Sequence, residues 1–242
     1  MTRQPPLVEF VGLPASGKSH LARTVKHQLE PDIEVPITTA SEKRSRRRLP
    51  VLAVLLIGWV LLAPVRAVIV GVDLRRTSQA RRLQLLRYWL FYLYLSAEWW
   101  RTARTGELHL SDQGCIQHVW RVRLTASNMA VDDIERFLRR HMVRMPDLVV
   151  FVEVDHHTRM ERGRERGTPV KAEHFDPEHP AIKRDQQAYN DITAAVHRIA
   201  AKEDGPQIVT IENTAAALEQ NSKTVADTII RQYRQLDNSI DT

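Results

Sequence analysis

Residues 12–19 combine a fixed spacing of two glycines with a lysine and a hydroxyl side chain, and they read Gly-Leu-Pro-Ala-Ser-Gly-Lys-Ser. The apolar run Leu7 to Val11 comes directly before them, and Ser19 to Leu29 has helical composition directly after them. A strand, this glycine-rich turn and a helix form a phosphate-binding loop, or P-loop. Its backbone N–H groups converge on phosphate oxygens while the positive end of the helix faces the same anion. The pattern therefore predicts binding of a nucleoside triphosphate.

Individual positions of the P-loop have roles that follow from this chemistry. We expect Lys18 to reach the β- and γ-phosphates and the Ser19 hydroxyl to be a ligand of Mg²⁺. Gly12 and Gly17 allow backbone conformations and a close approach that a β-carbon would prevent. The predicted cofactors are ATP and Mg²⁺, and the predicted nucleotide-binding residues are Gly12, Leu13, Pro14, Ala15, Ser16, Gly17, Lys18, Ser19 and His20.

An acidic side chain, Asp112, lies where the P-loop needs a partner. Residues 106–114 contain a short alternating strand that ends at Asp112. Because the carboxyl ends of parallel strands face the ligand crevice, Asp112 is a candidate to hold Mg²⁺ through water or to accept a proton from an attacking hydroxyl. Two alternatives stay open. Asp112 could instead cap the helix that begins near Cys115, and Asp73, after the apolar run 67–72, competes for the catalytic role.

Four arginines follow a nearly continuous apolar run, Pro146 to Asp155, which is typical of a strand buried on both faces. Neighbouring guanidinium groups repel one another unless an anion is bound, and they suit the developing charge on a transferring phosphoryl group. The alternative is a solvated basic helix that pairs with Glu161 and Glu165. The cluster consists of Arg159, Arg162, Arg164 and Arg166.

Strand and helix patterns alternate along the chain. A last short strand is predicted at Pro206 to Ile211 and a closing amphipathic helix at Thr214 to Leu236. The alternation favours an α/β fold, a three-layer P-loop NTPase with a parallel sheet. The length, 242 residues, predicts one domain over residues 1–242, with an apolar helical insert at about 43–105 and an arginine-rich lid at about 156–180.

The insert concentrates both the net charge of +6 and the most apolar part of the sequence. Basic blocks at 43–48 and 75–82 flank residues 49–72 and lie beside the aromatic stretch 83–100, a pattern typical of a cytoplasmic membrane face. As a helix, residues 49–63 would span only about 22 Å, against about 30 Å of hydrocarbon, so a single crossing is not expected. A hairpin in one leaflet within residues 49–100 and a buried helix pair both stay open.

The cysteine count, the N-terminus and the basic blocks limit the cellular location and the partners that we expect. The only cysteine, Cys115, excludes an intramolecular disulfide, and the polar N-terminus leads into the first strand without a signal-peptide pattern. We therefore expect a cytoplasmic protein, with or without peripheral contact with the membrane face. No recognition module accompanies the basic blocks, so nucleic acid is not an expected partner. A homodimer is left open.

Together these motifs resemble the thymidylate kinase and deoxyribonucleoside kinase branch of P-loop kinases. The resemblance rests on the P-loop, on Asp112-Gln113-Gly114, on the strand within 146–155 and on Arg162 and Arg166-Gly167 after it. It covers residues 7–29 and 106–232, whereas residues 43–105 match little. It implies that Gly12, Gly17, Lys18 and Ser19 bind ATP and Mg²⁺, and that Arg162, Arg164 and Arg166 form a lid over the phosphates.

Positions 113 and 34 bear on which acceptor and which catalytic base the resemblance implies. Members of that family follow the strand-end acid with an arginine that contacts the acceptor, whereas this chain has Gln113, a neutral amide where a cation would face a second phosphate. This departure weakens the expectation of a nucleoside monophosphate as acceptor. Glu34 falls where deoxynucleoside kinases place a catalytic base, and it is an alternative to Asp112 in that role.

The resemblance implies an ATP-dependent phosphotransferase that moves the γ-phosphoryl group to a small-molecule acceptor. The insert lies where related kinases build the acceptor pocket, and its apolar and aromatic character leaves the acceptor open. The alternative function is a membrane-associated ATP-binding module, or a kinase that acts on a lipid-linked acceptor.

Overall fold

The computed structural model describes residues 6–33, 36–39, 64–77, 82–105, 107–142, 144–167, 175–214 and 216–238. Within these residues strands and helices alternate, as the sequence predicts. In chain order the elements are β1 (Leu7–Val11), α1 (Lys18–Leu29), β2 (Ile37–Thr39), α2 (Pro64–Arg76), α3 (Arg82–Thr105), β3 (Leu108–Ser111), α4 (Cys115–Thr125), α5 (Val131–His141), β4 (Leu148–Glu153), α6 (His156–Glu165), α7 (Pro180–Ala200), β5 (Gln207–Glu212) and α8 (Leu218–Asn238).

The described strands form one parallel sheet in the order β2-β3-β1-β4-β5. The strand that leads into the P-loop, β1, lies in the centre, where Glu9 pairs with Ser111 of β3 and with Val149 of β4. Because every pairing is parallel, the carboxyl ends of the strands meet at one edge. The predicted α/β fold with a parallel sheet is confirmed, and this edge gathers the P-loop, Asp112 and the residues that follow β5.

Both faces of the sheet are covered, which explains why its strands read as apolar runs. Leu7 and Val11 of β1 face a core that also contains residues of α3, α4, α5 and α7. Val8 and Phe10 face the opposite core, which α1 and α8 complete. The strand predicted within Pro146 to Asp155 is β4, and its first five residues are buried.

The described part of the insert is the helix pair α2 and α3. The Trp89 indole N–H donates to the Ala67 carbonyl over 2.8 Å, and a β-carbon on Gly71 would lie 3.3 Å from the same nitrogen. The second half of α3 enters the main core, where Tyr92 and Trp99 are buried. Among the described residues, no helix has the length and apolar character needed to cross a membrane. Residues 43–63 and 78–81 lie outside the described part of the insert.

Asp73 does not follow a strand, so the alternative that gave it the catalytic role is wrong. It lies in α2 and accepts hydrogen bonds from His141 of α5 over 2.8 Å and from Arg140 over 3.2 Å. Asp73 also lines a cavity of about 260 Å³ between α2 and α5, which includes no P-loop residue. Its carboxylate therefore joins the insert to the rest of the protein.

A buried carboxylate, that of Glu9, lies between β1 and the start of α4. Its Oε1 accepts the Gln117 N–H over 2.9 Å, and a β-carbon on Gly114 would lie 2.3 Å from the carboxyl carbon. Burial raises the pKa of Glu9 to about 8, although the N–H groups at the start of α4 lower it. The N-cap residue of α4 is Gly114, so Asp112 does not have the capping role left open by the sequence.

The Glu9→Gln variant tests the raised pKa of Glu9, because glutamine resembles the neutral form of the acid in shape and does not ionise. The pKa of Glu9 in the folded state, about 8, lies above its ordinary value of 4.5. The stability contributed by the neutral acid is therefore full below pH 4.5 and is lost as the pH rises through 8, at up to about 1.4 kcal/mol per pH unit. Urea unfolding at pH 5, 6.5, 8 and 9.5 should show the wild type losing stability relative to Glu9→Gln up to pH 8 and no further change above it. A difference between the two proteins that stays constant over this range would contradict the assignment.

Candidate active site

The P-loop has backbone conformations that only particular residues allow. Gly17 has φ 91° at the N-cap of α1, and a β-carbon there would lie 2.2 Å from the Asn213 Nδ2 atom. A β-carbon on Gly12 would lie 2.5 Å from the carbonyl oxygen of Val152. Ala15 also has a positive φ, 64°, which is uncommon for a residue with a β-carbon and typical of strained functional loops. These glycines are therefore needed at these positions for both conformation and space.

Two side chains from distant segments hold the loop at its two ends. The Gly12 N–H donates to Gln117 Oε1 over 3.0 Å, and Asn213 Nδ2 donates to the Ser16 carbonyl over 2.7 Å. Asn213 is itself fixed, since its N–H donates to the Glu153 carbonyl over 2.7 Å. The first N–H groups of α1 have no carbonyl partner within the helix, so the fixed loop presents them to an anion. Sequence reasoning did not identify Gln117 or Asn213.

The Lys18 side chain folds back onto the P-loop. Its ammonium group donates to the carbonyls of Gly12 over 2.6 Å and Leu13 over 2.9 Å. Withdrawal from water lowers the pKa of Lys18 to about 7, against the opposing effect of the Asp112 carboxylate, and nearby guanidinium groups lower it further. An anion bound at the loop would reverse this shift, because it stabilises the charged ammonium.

Asp112 lies close enough to Lys18 for its charge to act on the ammonium group. Asp112 comes directly after β3, and β3 pairs with β1, the strand that leads into the P-loop. Only 4 % of Asp112 is exposed. Ser19 lies in the first turn of α1. The structure therefore brings Asp112 and the P-loop lysine together at the carboxyl edge of the sheet. The alternative base, Glu34, lies outside the described residues.

The arginines of the predicted lid occupy different positions around α6. Arg162 Nη2 donates to the Asn213 carbonyl over 3.2 Å, and its Nη1 is 3.6 Å from where a β-carbon on Gly17 would be. Arg166, just after α6, is exposed, and its charge acts on Lys18. Arg164 is also exposed on α6. The structure thus brings Arg162 and Arg166 to the loop and leaves Arg164 at the surface.

Arg159, the first arginine of the cluster, is different because it is buried. Its guanidinium lies 3.9 Å from the Asp185 carboxylate of α7 and 3.3 Å from His156 Nδ1. The alternative of a solvated helix paired with Glu161 does not describe it, since Glu161 pairs with His157 over 3.5 Å. Arg159 therefore anchors α6 to α7, while its charge still reaches Lys18.

A cavity of about 280 Å³ opens beside the P-loop, between the end of α6 and the start of α8. It combines two guanidinium groups and an imidazole with a carboxylate, an amide, a hydroxyl and an apolar side chain. The two cations beside an apolar side chain suit a ligand that is partly anionic and partly flat and apolar. Its lining residues are Gly17, His20, Arg162, Glu165, Arg166, Asn213, Thr214 and Leu218.

The donor set of the site fits a metal ion that arrives with a nucleotide. Among the described residues, no group of three or more histidine, cysteine or acidic side chains forms a cage for a metal. Mg²⁺ keeps several waters and takes phosphate oxygens together with one or two protein oxygens. The Ser19 hydroxyl and, through water, the Asp112 carboxylate are the protein groups that would hold it.

Comparison with known proteins shows which solved structures have a similar fold. No protein-family model and no curated protein matches this sequence. Solved structures do match. Deoxyadenosine kinase from M. mycoides with bound dCTP is 10% identical at a TM-score of 0.51, over 92% of this chain and 99% of that chain. The same enzyme with dCMP and a flexible dCDP is 11% identical at a TM-score of 0.52, over 95% and 99%. Thymidylate kinase from Candida albicans is 16% identical at a TM-score of 0.50, over 96% and 94%.

These matches extend over nearly the whole of each chain, so they include the sheet, the P-loop and the surrounding helices. At such low identity the likeness is one of fold. The chain therefore has the fold of the thymidylate and deoxyribonucleoside kinase branch of P-loop kinases, and the resemblance predicted from its motifs is confirmed at that level.

Proposed function

We propose that this protein is an ATP-dependent phosphotransferase that moves the γ-phosphoryl group to a small-molecule acceptor of the nucleoside or nucleotide class. The observation that carries the proposal is the P-loop itself, fixed by Gln117 and Asn213, with the Asp112 carboxylate near enough for its charge to act on Lys18. The named activities of the structural neighbours, a deoxyadenosine kinase and a thymidylate kinase, support the acceptor class.

The proposed reaction assigns a task to each group of the site. Lys18 leaves the carbonyls of Gly12 and Leu13 and binds the β- and γ-phosphates. An acceptor oxygen bonds to the γ-phosphorus, and the bond from that phosphorus to the β–γ bridging oxygen breaks to release ADP. Where this oxygen belongs to a hydroxyl group, its proton goes to Asp112; where it belongs to a phosphate, no proton transfer is needed. Mg²⁺, when bound, neutralises charge on the phosphates. Arg162 and Arg166, which lie at the loop, stabilise the charge that develops on the transferred group.

A membrane surface is a second candidate partner, and one observation favours it. Exposed apolar side chains recur with helical spacing on α2 (Val65, 71 % exposed; Val68, 64 %; Val72, 45 %) and on α3 (Leu83, 77 %; Leu86, 48 %; Leu90, 38 %). Exposed Arg75 and Arg76 end α2, and exposed Arg87 lies on α3. Apolar stripes beside arginines suit peripheral contact with an anionic lipid surface.

Removing the P-loop ammonium group tests the reaction. Lys18→Ala should lower ATP-dependent phosphoryl transfer at least about 100-fold, because charge stabilisation at the transferred group is lost. Radiolabelled ATP and a panel of nucleosides, nucleoside monophosphates, sugars and lipid-linked acceptors would measure the transfer. Lys26→Ala, on the same helix, is the matched control and should keep full activity. If the wild type binds ATP but labels no acceptor, the protein is an ATP-binding module and the proposed reaction is wrong.

The lowered pKa of Lys18 predicts a proton linked to nucleotide binding. At pH 8 the free protein holds Lys18 mostly neutral, since its pKa is about 7. Bound phosphates raise that pKa, so ATP binding should take up close to one proton at pH 8, and affinity should fall as the pH rises above 7. Calorimetry in buffers of different ionisation enthalpy measures this uptake. Lys26→Ala should keep the uptake and Lys18→Met should lose it; equal values for the two variants would contradict the linkage.

Vesicle sedimentation tests the membrane candidate. The protein should bind vesicles that contain phosphatidylglycerol more strongly than vesicles of phosphatidylcholine alone, and less strongly at high salt. Val68→Asp with Leu86→Asp should reduce binding severalfold, whereas Gln220→Asp, an exposed change on α8, should not. Full recovery of the wild type in the supernatant at low salt would rule out this contact.

A further inference from the structure

The position after the strand-end acid is Gln113, a neutral amide, yet a cation lies against it. Arg121 of α4 donates from Nη2 to Gln113 Oε1 over 3.4 Å. On its other side the guanidinium carbon is 5.9 Å from the centre of the Phe91 ring on α3. A guanidinium over an aromatic face is favourable, and Arg121 is therefore positioned by contacts from two elements.

The charge of Arg121 belongs to the candidate active site. It acts on Lys18 together with the charges of Asp112, Arg166 and Arg159. Arg162 approaches the P-loop from α6, whereas Arg121 comes from α4, and its guanidinium lies over Phe91 of the insert helix α3. Arg121 therefore lies between Gln113, the residue after Asp112 in the sequence, and the insert helix α3.

We propose that Arg121, held by Gln113 and Phe91, is the acceptor-side cation of this protein and binds an anionic group on the acceptor, a phosphate monoester. The proposal rests on the proposed function and narrows its acceptor to a nucleoside monophosphate. It also changes the meaning of Gln113. This amide accepts a hydrogen bond from the cation and orients it, so a neutral residue at this position does not leave the site without charge.

The aromatic surroundings support a fixed position for the guanidinium. On α4, the buried His118 ring lies 4.9 Å from the Phe91 ring and 5.5 Å from the Tyr88 ring, centre to centre. Its Nε2 lies 3.0 Å from the Tyr88 carbonyl oxygen. Burial lowers the pKa of His118 to about 3, so this imidazole is neutral near pH 7 and adds no cation. Arg121 supplies a positive charge at this junction of α3 and α4, and the half-buried rings of Phe91 and Tyr88 provide apolar surface for a flat base.

Equilibrium binding to the full chain separates this assignment from a structural role. The probes are the four deoxynucleoside monophosphates and their nucleosides, measured by calorimetry. The wild type should bind at least one monophosphate about 10- to 100-fold more tightly than its nucleoside, as expected for a hydrogen bond to a charged group. Arg121→Met should remove that difference and leave nucleoside affinity unchanged, while Arg121→Lys should keep part of it. Gln113→Leu, which frees the guanidinium without removing it, should give an intermediate loss.

Arg87→Met, an exposed change on α3 with the same loss of charge, is the matched control and should behave as the wild type. The proposal is overturned if no monophosphate binds more tightly than its nucleoside, or if Arg121→Met weakens both ligands equally, which would mark Arg121 as structural. Phosphorylation of a nucleoside by the wild type in either case would leave the proposed function standing. The proposed function is overturned together with the Arg121 proposal only if the wild type also fails to transfer phosphate from ATP to any acceptor.

Discussion

The constraint on which the structure depends is the shape of the P-loop main chain. Gly17 and Ala15 both have positive φ, and fixing the backbone of the loop in this conformation costs conformational entropy. The loop therefore needs contacts from other segments to keep its shape. Hydrogen bonds from Gly12 to Gln117 and from Asn213 to Ser16 hold it in place. Both partners are supplied by segments at the carboxyl edge of the parallel sheet, so the fold as a whole fixes the loop.

Charge is the second constraint, because the site gathers several cations. The charges of Arg121, Arg166 and Arg159 act on Lys18, against the opposing charge of the Asp112 carboxylate. Such an arrangement costs stability in the free protein. Burial is the main cause of the lowered pKa of Lys18, and the neighbouring guanidinium groups lower it further. A bound polyphosphate would relieve the repulsion. The repulsion between these cations thus occurs where an anionic ligand can offset it, as is usual for functional sites.

The sequence was informative wherever the signal is local. The P-loop, the strand before it and the helix after it lie within residues 7–29, and Asp112 follows β3 as predicted. It was not informative about contacts between distant segments. The hydrogen bond from Asn213 to Ser16 joins residues 197 positions apart, and that from Gly12 to Gln117 joins residues 105 positions apart. Asn213 follows a strand at the ligand-binding edge and could have been suspected, whereas Gln117 and Arg121 look like ordinary helical residues. Asp73 was misread because an apolar run before an acid fits a helix as well as a strand.

We propose that this loop binds the phosphates of a nucleotide through its main chain. A crystal structure of the full chain with Mg²⁺ and a non-hydrolysable ATP analogue tests this binding. We expect the β-phosphate within about 3 Å of the N–H groups of Gly17, Lys18 and Ser19, with the Lys18 ammonium moved from the Gly12 carbonyl onto the phosphates. Density for the analogue at any other place, or an empty loop at saturating nucleotide, would contradict it.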